Sequence, residues 1–234
     1  MIRKVLLAAA LLAAGGVSHA TIILSEGFDD VSTLAGSGWT QTNSSAPAGT
    51  TGWFQGNDGV LGSHSGAANS YIAANFENAG FGGNISNWLI TPTLTFTSRL
   101  FLTFSTRGNG FLPDRLEVRL STNGGSGDVG SSDTSVGDFT TLLATINPLL
   151  GGDYPTDWTT YTLYLGEYAG PTLGRLAFRY FVPDTSLNAD YIGIDSVSVR
   201  VPEPATLGLF AMSLIAMAFV MLGPRRRRIA ALRR

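Results

Sequence analysis

The chain has 234 residues, no cysteine and a formal net charge of −2. Without cysteine it has no disulfide bond, zinc–thiolate site, iron–sulfur cluster or cysteine nucleophile. Residues 21–201 carry sixteen Asp or Glu, seven Arg and no Lys, and this acidic balance repels phosphate backbones and argues against a nucleic-acid partner.

Residues 1–20 have the pattern of a secretory signal peptide. Two cations precede an apolar run over residues 5–14, which is too short to span a bilayer comfortably. Ser18 and Ala20 then place small side chains at positions −3 and −1 of a cleavage site before Thr21. We predict that this segment directs export and is removed; the alternative is an uncleaved N-terminal anchor.

We interpret residues 21–200 as one exported domain, long enough for a two-layer core. Short apolar segments recur there at strand length between turns rich in Gly, Pro and Asn. The predicted strands span residues 71–76, 88–91, 100–106, 115–121, 158–165, 173–182 and 191–200. Residues 121–138 are poor in apolar side chains and predict a mobile loop. Many short strands without helical periodicity predict an all-β domain, a jelly-roll β-sandwich.

Two of these segments alternate strictly between apolar and other residues. The apolar positions are Leu116, Val118, Leu120, Leu176, Phe178 and Tyr180. The charged positions on the opposite faces are Arg115, Glu117, Arg119, Arg175 and Arg179. Because side chains alternate across a strand, the pattern predicts one buried face and one wet face in an antiparallel sheet.

The last predicted strand contains a change of phase. Ile192 and Ile194 set one parity, whereas Val197 and Val199 set the other. A β-bulge near Asp195 would let all four apolar side chains face the core. The alternative is a central strand that is buried on both faces.

Residues 205–222 form an apolar span that predicts a single transmembrane helix. Eighteen residues at about 1.5 Å each reach roughly 27 Å, which matches a bilayer core. The remaining residues, 223–234, are rich in arginine, and the cluster that acts as a stop-transfer signal is Arg225, Arg226, Arg227 and Arg228. Such a cluster belongs in the cytoplasm, so the folded domain would lie outside.

The whole segment 201–234 resembles the PEP-CTERM sorting signal. The motif Pro202-Glu203-Pro204, the apolar span and the terminal arginines occur in the same order and at the C-terminus. The resemblance implies a Gram-negative bacterium that makes extracellular polysaccharide. It also implies processing near the motif by an exosortase, a membrane transpeptidase, so that the span is a transient anchor. A permanent single-pass anchor is the alternative.

The exported domain resembles the cleaved-adhesin, or choice-of-anchor J, family of jelly-roll domains. Four motifs carry the resemblance: SEGFD at residues 25–29, NWLITP at 87–92, RLSTNG at 119–124 and YIGIDSVSV at 191–199. The chain departs from the family at Asn87 and at Ser196, where the family usually has acidic residues. The resemblance implies that the first and last strands lie together, often with a structural calcium ion nearby.

Calcium binds six to eight oxygens, preferably from carboxylates and carbonyls. Glu26 and Asp195 are the best candidate ligands, with Asp29 and Asp30 weaker. Asp195 lies among apolar residues of a strand, where a carboxylate is costly unless it is paired or bound to metal. The alternative is that Asp195 pairs with an arginine or caps a turn.

The sequence contains no arrangement typical of an enzyme. His64 is the only histidine after the signal peptide, and its Gly-Ser-His-Ser-Gly context is not a nucleophile elbow. Most acidic residues lie in turns, where local geometry accounts for them. Trp53 and Tyr154 lie near loops, and we predict that they are exposed and available to stack on sugar rings.

These features predict an exported surface or extracellular-matrix protein without catalytic activity. Its role would be adhesive or structural within the exopolysaccharide or biofilm envelope. The alternative is a module that binds extracellular polysaccharide, which a cluster of exposed aromatic residues would favour. A glycan hydrolase ranks last, and two carboxylates converging in a cleft would favour it.

Overall fold

The computed structural model describes residues 20–202, which are built from eleven β-strands and two short 3-10 helices. The strands are β1 (Thr21–Glu26), β2 (Thr40–Asn43), β3 (Ala46–Ala48), β4 (Phe54–Gln55), β5 (Ile72–Asn75), β6 (Ala79–Ile90), β7 (Leu94–Gly108), β8 (Leu116–Ser121), β9 (Thr141–Ile146), β10 (Thr159–Val182) and β11 (Tyr191–Val201). The 3-10 helices are Val31–Thr33 and Phe76–Asn78.

Residues 1–19 and 203–234 lie outside the described residues. They hold nearly all of the predicted signal peptide, the predicted transmembrane span and the arginine cluster. Of the sorting motif, Pro202 lies within the described residues, whereas Glu203 and Pro204 do not. A search of residues 20–202 finds no helix with the length and apolar character needed to cross a membrane.

Strand β10 joins two antiparallel sheets into one structure. Its first part, from Thr159 to Gly174, pairs with β7 in the sheet β4-β5-β11-β7-β10. Its last part pairs with β8 on one side and β6 on the other, in the sheet β2-β6-β10-β8-β9. Register shifts between Tyr164 and Gly166 and between Tyr168 and Thr172 lie within the first part. The predicted strands 158–165 and 173–182 are therefore one strand, and the domain is the all-β sandwich that the sequence predicts.

The core fills the space between the two sheets. All six apolar residues of the alternating segments are buried in it, as predicted: Leu116, Val118, Leu120, Leu176, Phe178 and Tyr180. Phe104 joins the layers, because its ring contacts Tyr161 of the first sheet face to face and Phe178 of the second edge to face. Each large side chain buried in this way contributes about 1.5–3 kcal/mol to stability.

The predicted β-bulge is present in β11. The register of β11 against β7 shifts between Asp195 and Ser198, and Ser196 has a φ of 55°. All four apolar residues of the strand are consequently buried in the same core: Ile192, Ile194, Val197 and Val199. The bulge thus reverses the parity of the strand and turns Asp195 away from the core.

The prediction of a wet outer face on β8 and β10 is wrong. Arg179 is only 1% exposed, and Glu117 and Arg175 are also buried. The polar loop 121–138 causes this burial, because it folds back over the outer face. Val129 from the loop and Phe139 just after it pack against Trp88 of β6.

A buried charge network lies beneath that loop. Glu117 Oε2 accepts hydrogen bonds from Arg119 Nε at 2.7 Å and from Arg179 Nη1 at 3.2 Å. The Arg179 guanidinium also lies over the rings of Trp88 and Phe181, at 4.7 and 3.7 Å from their centroids. Burial lowers the pKa of Arg179 to about 10, which still leaves it charged at neutral pH. One carboxylate is therefore the shared counter-charge of two cations in a poorly solvated layer.

Glu117→Gln leaves both arginines without their counter-charge. We expect this substitution to destabilise the protein by about 3 kcal/mol, because breaking a buried ion pair is far costlier than breaking a surface one. Urea unfolding measures the change. Glu167→Gln is the matched control, because the Arg99–Glu167 pair is mostly exposed and contributes at most about 1 kcal/mol. Equal effects of the two substitutions would contradict the role assigned to Glu117.

Candidate functional site

Asp195, the strongest candidate calcium ligand, anchors a loop. Its Oδ2 accepts backbone N–H groups of His64 at 2.9 Å and Ser65 at 3.0 Å, and its Oδ1 accepts the Ser196 hydroxyl at 3.1 Å. Burial raises the pKa of Asp195, while these hydrogen bonds oppose the rise. Asp195 therefore caps a turn, which was the alternative to a role as metal ligand. The turn that it caps is distant from it in the sequence.

The other candidate ligands are Glu26, Asp29 and Asp30, and they form no metal-binding cluster with Asp195 in the described residues. Asp30 Oδ1 instead accepts the N–H of Ser32 at 3.0 Å. Strand β1, which ends at Glu26, pairs with β11, as the resemblance implies. Glu26 Oε1 accepts the N–H of Phe28 at 2.8 Å, and Asp29 is exposed beside Gly66. Among residues 20–202, no three His, Asp or Glu side chains are placed to hold one metal ion. Calcium here would need backbone carbonyls and water for most of its ligands, and it stays a prediction.

Thermal melting tests the calcium prediction directly. If calcium binds at Glu26 and Asp195, adding it raises the melting temperature of the protein and a chelator reverses the rise, because a ligand stabilises only the state that binds it. Asp195→Asn would abolish this response. A melting temperature that is the same with calcium and with chelator removes the prediction.

The bulge brings His64, Asp195 and Ser196 together, which the sequence does not indicate. His64 Nδ1 lies 3.2 Å from Ser196 Oγ, and the imidazole packs edge-on against Trp158. In a hydrolytic triad the imidazole lies between the carboxylate and the nucleophile. Here the hydroxyl lies between the carboxylate and the imidazole, so the order of groups does not provide a proton relay.

The prediction that Trp53 and Tyr154 are exposed is wrong. Trp53 is 5% and Tyr154 7% exposed, and both belong to the main core. The Tyr154 hydroxyl is hydrogen-bonded to Thr106 Oγ1 at 2.7 Å. Neither ring offers a face to a sugar, because the loops that carry them fold over the ends of the core and bury the apolar ring area there.

A shallow groove lies beside the turn that carries Phe76 and Glu77. It consists of two cavities of about 430 and 290 Å³, both of which are lined by Phe76 and Glu77. Phe76 is 48% exposed, and Phe81, in the second cavity, is 89% exposed. Sequence reasoning places Phe76 at the end of a buried strand. The glycines on both sides of Phe81 were the available indication of an exposed aromatic residue.

The groove is held from behind by buried amides. The Asn78 side chain donates to Thr51 Oγ1 at 2.8 Å and to the Gly52 carbonyl at 2.9 Å. Asn87 Nδ2 donates to Asn78 Oδ1 at 2.9 Å, and Asn43 Nδ2 to the Asn78 carbonyl at 2.8 Å. This network fixes the turn that carries Phe76 and Glu77.

A buried carboxylate supports the other wall of the groove. Asp114 Oδ1 accepts the Tyr180 hydroxyl and, at 2.9 Å, the N–H of Asp190. Asp190 lines the groove, and its carbonyl accepts the N–H of Phe76 at 2.9 Å. Burial raises the pKa of Asp114 to about 7. The carboxyl group that supports this wall therefore changes its charge near neutral pH.

Stability should therefore fall as the pH rises from about 4 to about 7. Across that range the folded state holds a proton on Asp114 that the unfolded chain has released. The resulting loss of unfolding free energy is at most about 4 kcal/mol. Asp114→Asn keeps an acceptor that cannot ionise, so we expect a flatter dependence of the unfolding free energy on pH. Asp157→Asn, at an exposed position, is the control. An unchanged slope in Asp114→Asn would contradict the assignment.

Glu77 and Asp190 both line the larger cavity, and this pair of carboxylates bears on the possibility of hydrolysis. A glycosidase needs both groups at the scissile bond. Glu77 is exposed, whereas Oδ2 of Asp190 is enclosed by protein. The pair is therefore asymmetric, with one carboxylate in solvent and the other built into the wall.

Comparison with solved structures identifies the fold. The K1 cleaved adhesin domain of Lys-gingipain from Porphyromonas gingivalis W83 has 23% identity and a TM-score of 0.51, over 78% of this chain and 99% of that one. The K2 cleaved adhesin domain of Lys-gingipain has 20% identity and a TM-score of 0.51, over 76% and 98%. This chain shares the fold of those adhesin domains. Identities this low establish the fold alone.

A family 11 carbohydrate-binding module from Clostridium thermocellum has 11% identity and a TM-score of 0.44, over 78% of this chain and 96% of that one. That similarity is too weak to bear on function. No protein-family model matches the chain, and no curated sequence does.

Proposed function

We propose that this chain is an exported, non-catalytic surface protein with an adhesive or structural role in the exopolysaccharide or biofilm envelope of a Gram-negative bacterium. The observation that carries the proposal is a fold shared with cleaved adhesin domains. In the sequence this fold lies between a segment with the pattern of a signal peptide and a segment that resembles the PEP-CTERM signal. The fold supports the adhesive role, and the segments support the location.

The physical properties of the domain suit that location. Because the chain has no cysteine, its fold does not depend on disulfide bonds or on redox conditions. Its stability comes from a core that contacts both sheets. The acidic, lysine-free composition opposes association with nucleic acid. These properties are compatible with the proposed location outside the cell among polysaccharides.

The tail supports a transient attachment. In the proposed route, the span 205–222 holds the exported chain in the inner membrane until an exosortase cuts near Pro202-Glu203-Pro204. The mature domain then passes to the outer surface or the extracellular matrix. The sandwich ends at Val201, directly before the motif, so cleavage there would leave every described strand intact.

Replacing Pro202, Glu203 and Pro204 together with alanine tests this route. We expect mass spectrometry to show that the wild-type product has lost the tail, whereas the variant retains residues 205–234 and stays in the membrane fraction. A strain lacking exosortase is the control and should reproduce the variant with the wild-type gene. Normal processing of the alanine variant would contradict the motif, and an uncut wild type would favour a permanent anchor.

A second function, binding of extracellular polysaccharide, is favoured by the exposed aromatic residues of the groove rather than by Trp53 and Tyr154. Phe76 and Phe81 present large apolar rings to solvent beside polar groups. Hydrolysis ranks below binding, because the two carboxylates of the groove differ in accessibility.

A further inference from the structure

We propose that the groove around Phe76 binds a neutral polysaccharide chain. This inference rests on the proposed function, since it identifies what a protein of the exopolysaccharide envelope would hold. It assigns binding to the loop end of the sandwich, centred on Phe76, Glu77 and Phe81.

The shape of the groove fits an extended polymer better than a compact ligand. Two cavities of about 430 and 290 Å³ adjoin the same ridge, formed by Phe76 and Glu77, and the larger is within the size range of small-ligand sites. A chain crossing the ridge would place successive rings in both cavities. The apolar faces of sugar rings stack on aromatic side chains, and Phe76 and Phe81 both offer such faces.

The polar groups of the groove match hydroxyl groups. The larger cavity is lined by the amide residues Asn57, Asn75 and Asn109 and by Glu77, whose carboxylate is exposed. Amides donate and accept hydrogen bonds, and carboxylates accept them, so together they can satisfy sugar hydroxyls without a charged ligand.

The charge of the groove selects among polysaccharides. Neither cavity is lined by an arginine, lysine or histidine, while Glu77 borders both and Asp190 borders one. Uronic-acid or sulfated chains would therefore meet uncompensated negative charge, which disfavours them. A neutral polymer avoids this repulsion.

The groove is organised before any ligand arrives. The Asn78 amide network holds the Phe76–Asn78 turn from behind, and Asp114 fixes the backbone of Asp190 on the opposite wall. Rigid positioning reduces the ordering cost that binding would otherwise incur.

The direction of β11 places the groove far from Val201. Tyr191, the first residue of the strand, lines the groove, and Val201 is the last. Ten steps of about 3.3 Å separate these two residues by roughly 33 Å. The groove and the residue that leads into the proposed attachment therefore lie at opposite ends of this strand.

Binding is tested with full-length protein, purified in mild detergent, against neutral dextran, soluble β-1,3-glucan and mannan, with alginate as the anionic probe. We expect at least one neutral polymer to bind and alginate not to bind. Phe76→Ala should weaken that binding by about tenfold or more, as expected for the loss of a stacking platform. Phe111→Ala is the matched control, because Phe111 is 88% exposed and lines neither cavity.

The melting temperature of each variant is measured in parallel. If Phe76→Ala does not fold, Phe81→Ser replaces it, since a side chain that is 89% exposed contributes little packing; it should weaken binding by severalfold. Glu77→Gln should retain binding to the neutral polymer and relax the exclusion of alginate.

Three results would overturn the proposal. They are no binding to any neutral polymer, preferential binding of alginate, and equal losses in Phe76→Ala and Phe111→Ala, which would indicate general apolar adsorption. Release of reducing ends from a bound polymer would show a catalytic site instead of a binding site. If no polysaccharide binds but the chain is processed normally at Pro202-Glu203-Pro204, the proposed export and location stand. If the chain is not processed, the binding result is unaffected.

Discussion

The structure depends on one strand that belongs to two sheets. Over its 24 residues β10 pairs first with β7 and then with β6 and β8. Its inward side chains, such as Phe178 and Tyr180, fill the core between the layers. Because the backbone is continuous from one sheet to the other, the two layers cannot separate without breaking the central ladder of each. The domain therefore holds its layers together without disulfides.

The same strand creates a burial problem on its outer side. Arg175 and Arg179 project from it toward a loop that covers them. Arg175 is satisfied by backbone carbonyls, including that of Thr91 at 2.6 Å, and Arg179 by Glu117 and aromatic rings. A polar loop can cover a sheet in this way because buried cations supply donors for its carbonyls. The cost of removing these charges from water is offset by hydrogen bonds to carbonyls and, for Arg179, by the Glu117 carboxylate.

The two ends of the sandwich have different roles in the proposed function. One end carries the chain into the sorting tail after Val201. The other carries the groove, where Phe76 is exposed on a turn that buried Asn78 and Asp114 hold in place and Phe81 is exposed on β6. In the proposed function Val201 leads toward the attachment and the groove is the contact surface, and the two lie at opposite ends of β11.

Several features could be predicted from the sequence because they depend on local pattern. Alternation identified the core faces of β8 and β10, and the change of parity identified the bulge at Asp195. Strands β2, β3 and β4 are two to four residues long and carry little such pattern. They were missed from the pattern, as were β1 and β9. The predicted signal peptide and sorting signal rest on composition and order alone, and they lie mainly outside the described residues.

What a side chain contacts across the fold was not predictable in the same way. Arg179 has the local pattern of an exposed residue, and Trp53 that of a loop residue, yet both are buried by segments distant in sequence. Asp195 accepts hydrogen bonds from a loop 130 and 131 residues away, and the groove combines residues from Thr51 to Tyr191. The sequence by itself determined the class of fold, the strand faces and the predicted address. Only tertiary structure decided which charges are buried and where an exposed aromatic surface lies, because burial depends on which distant segment covers a residue.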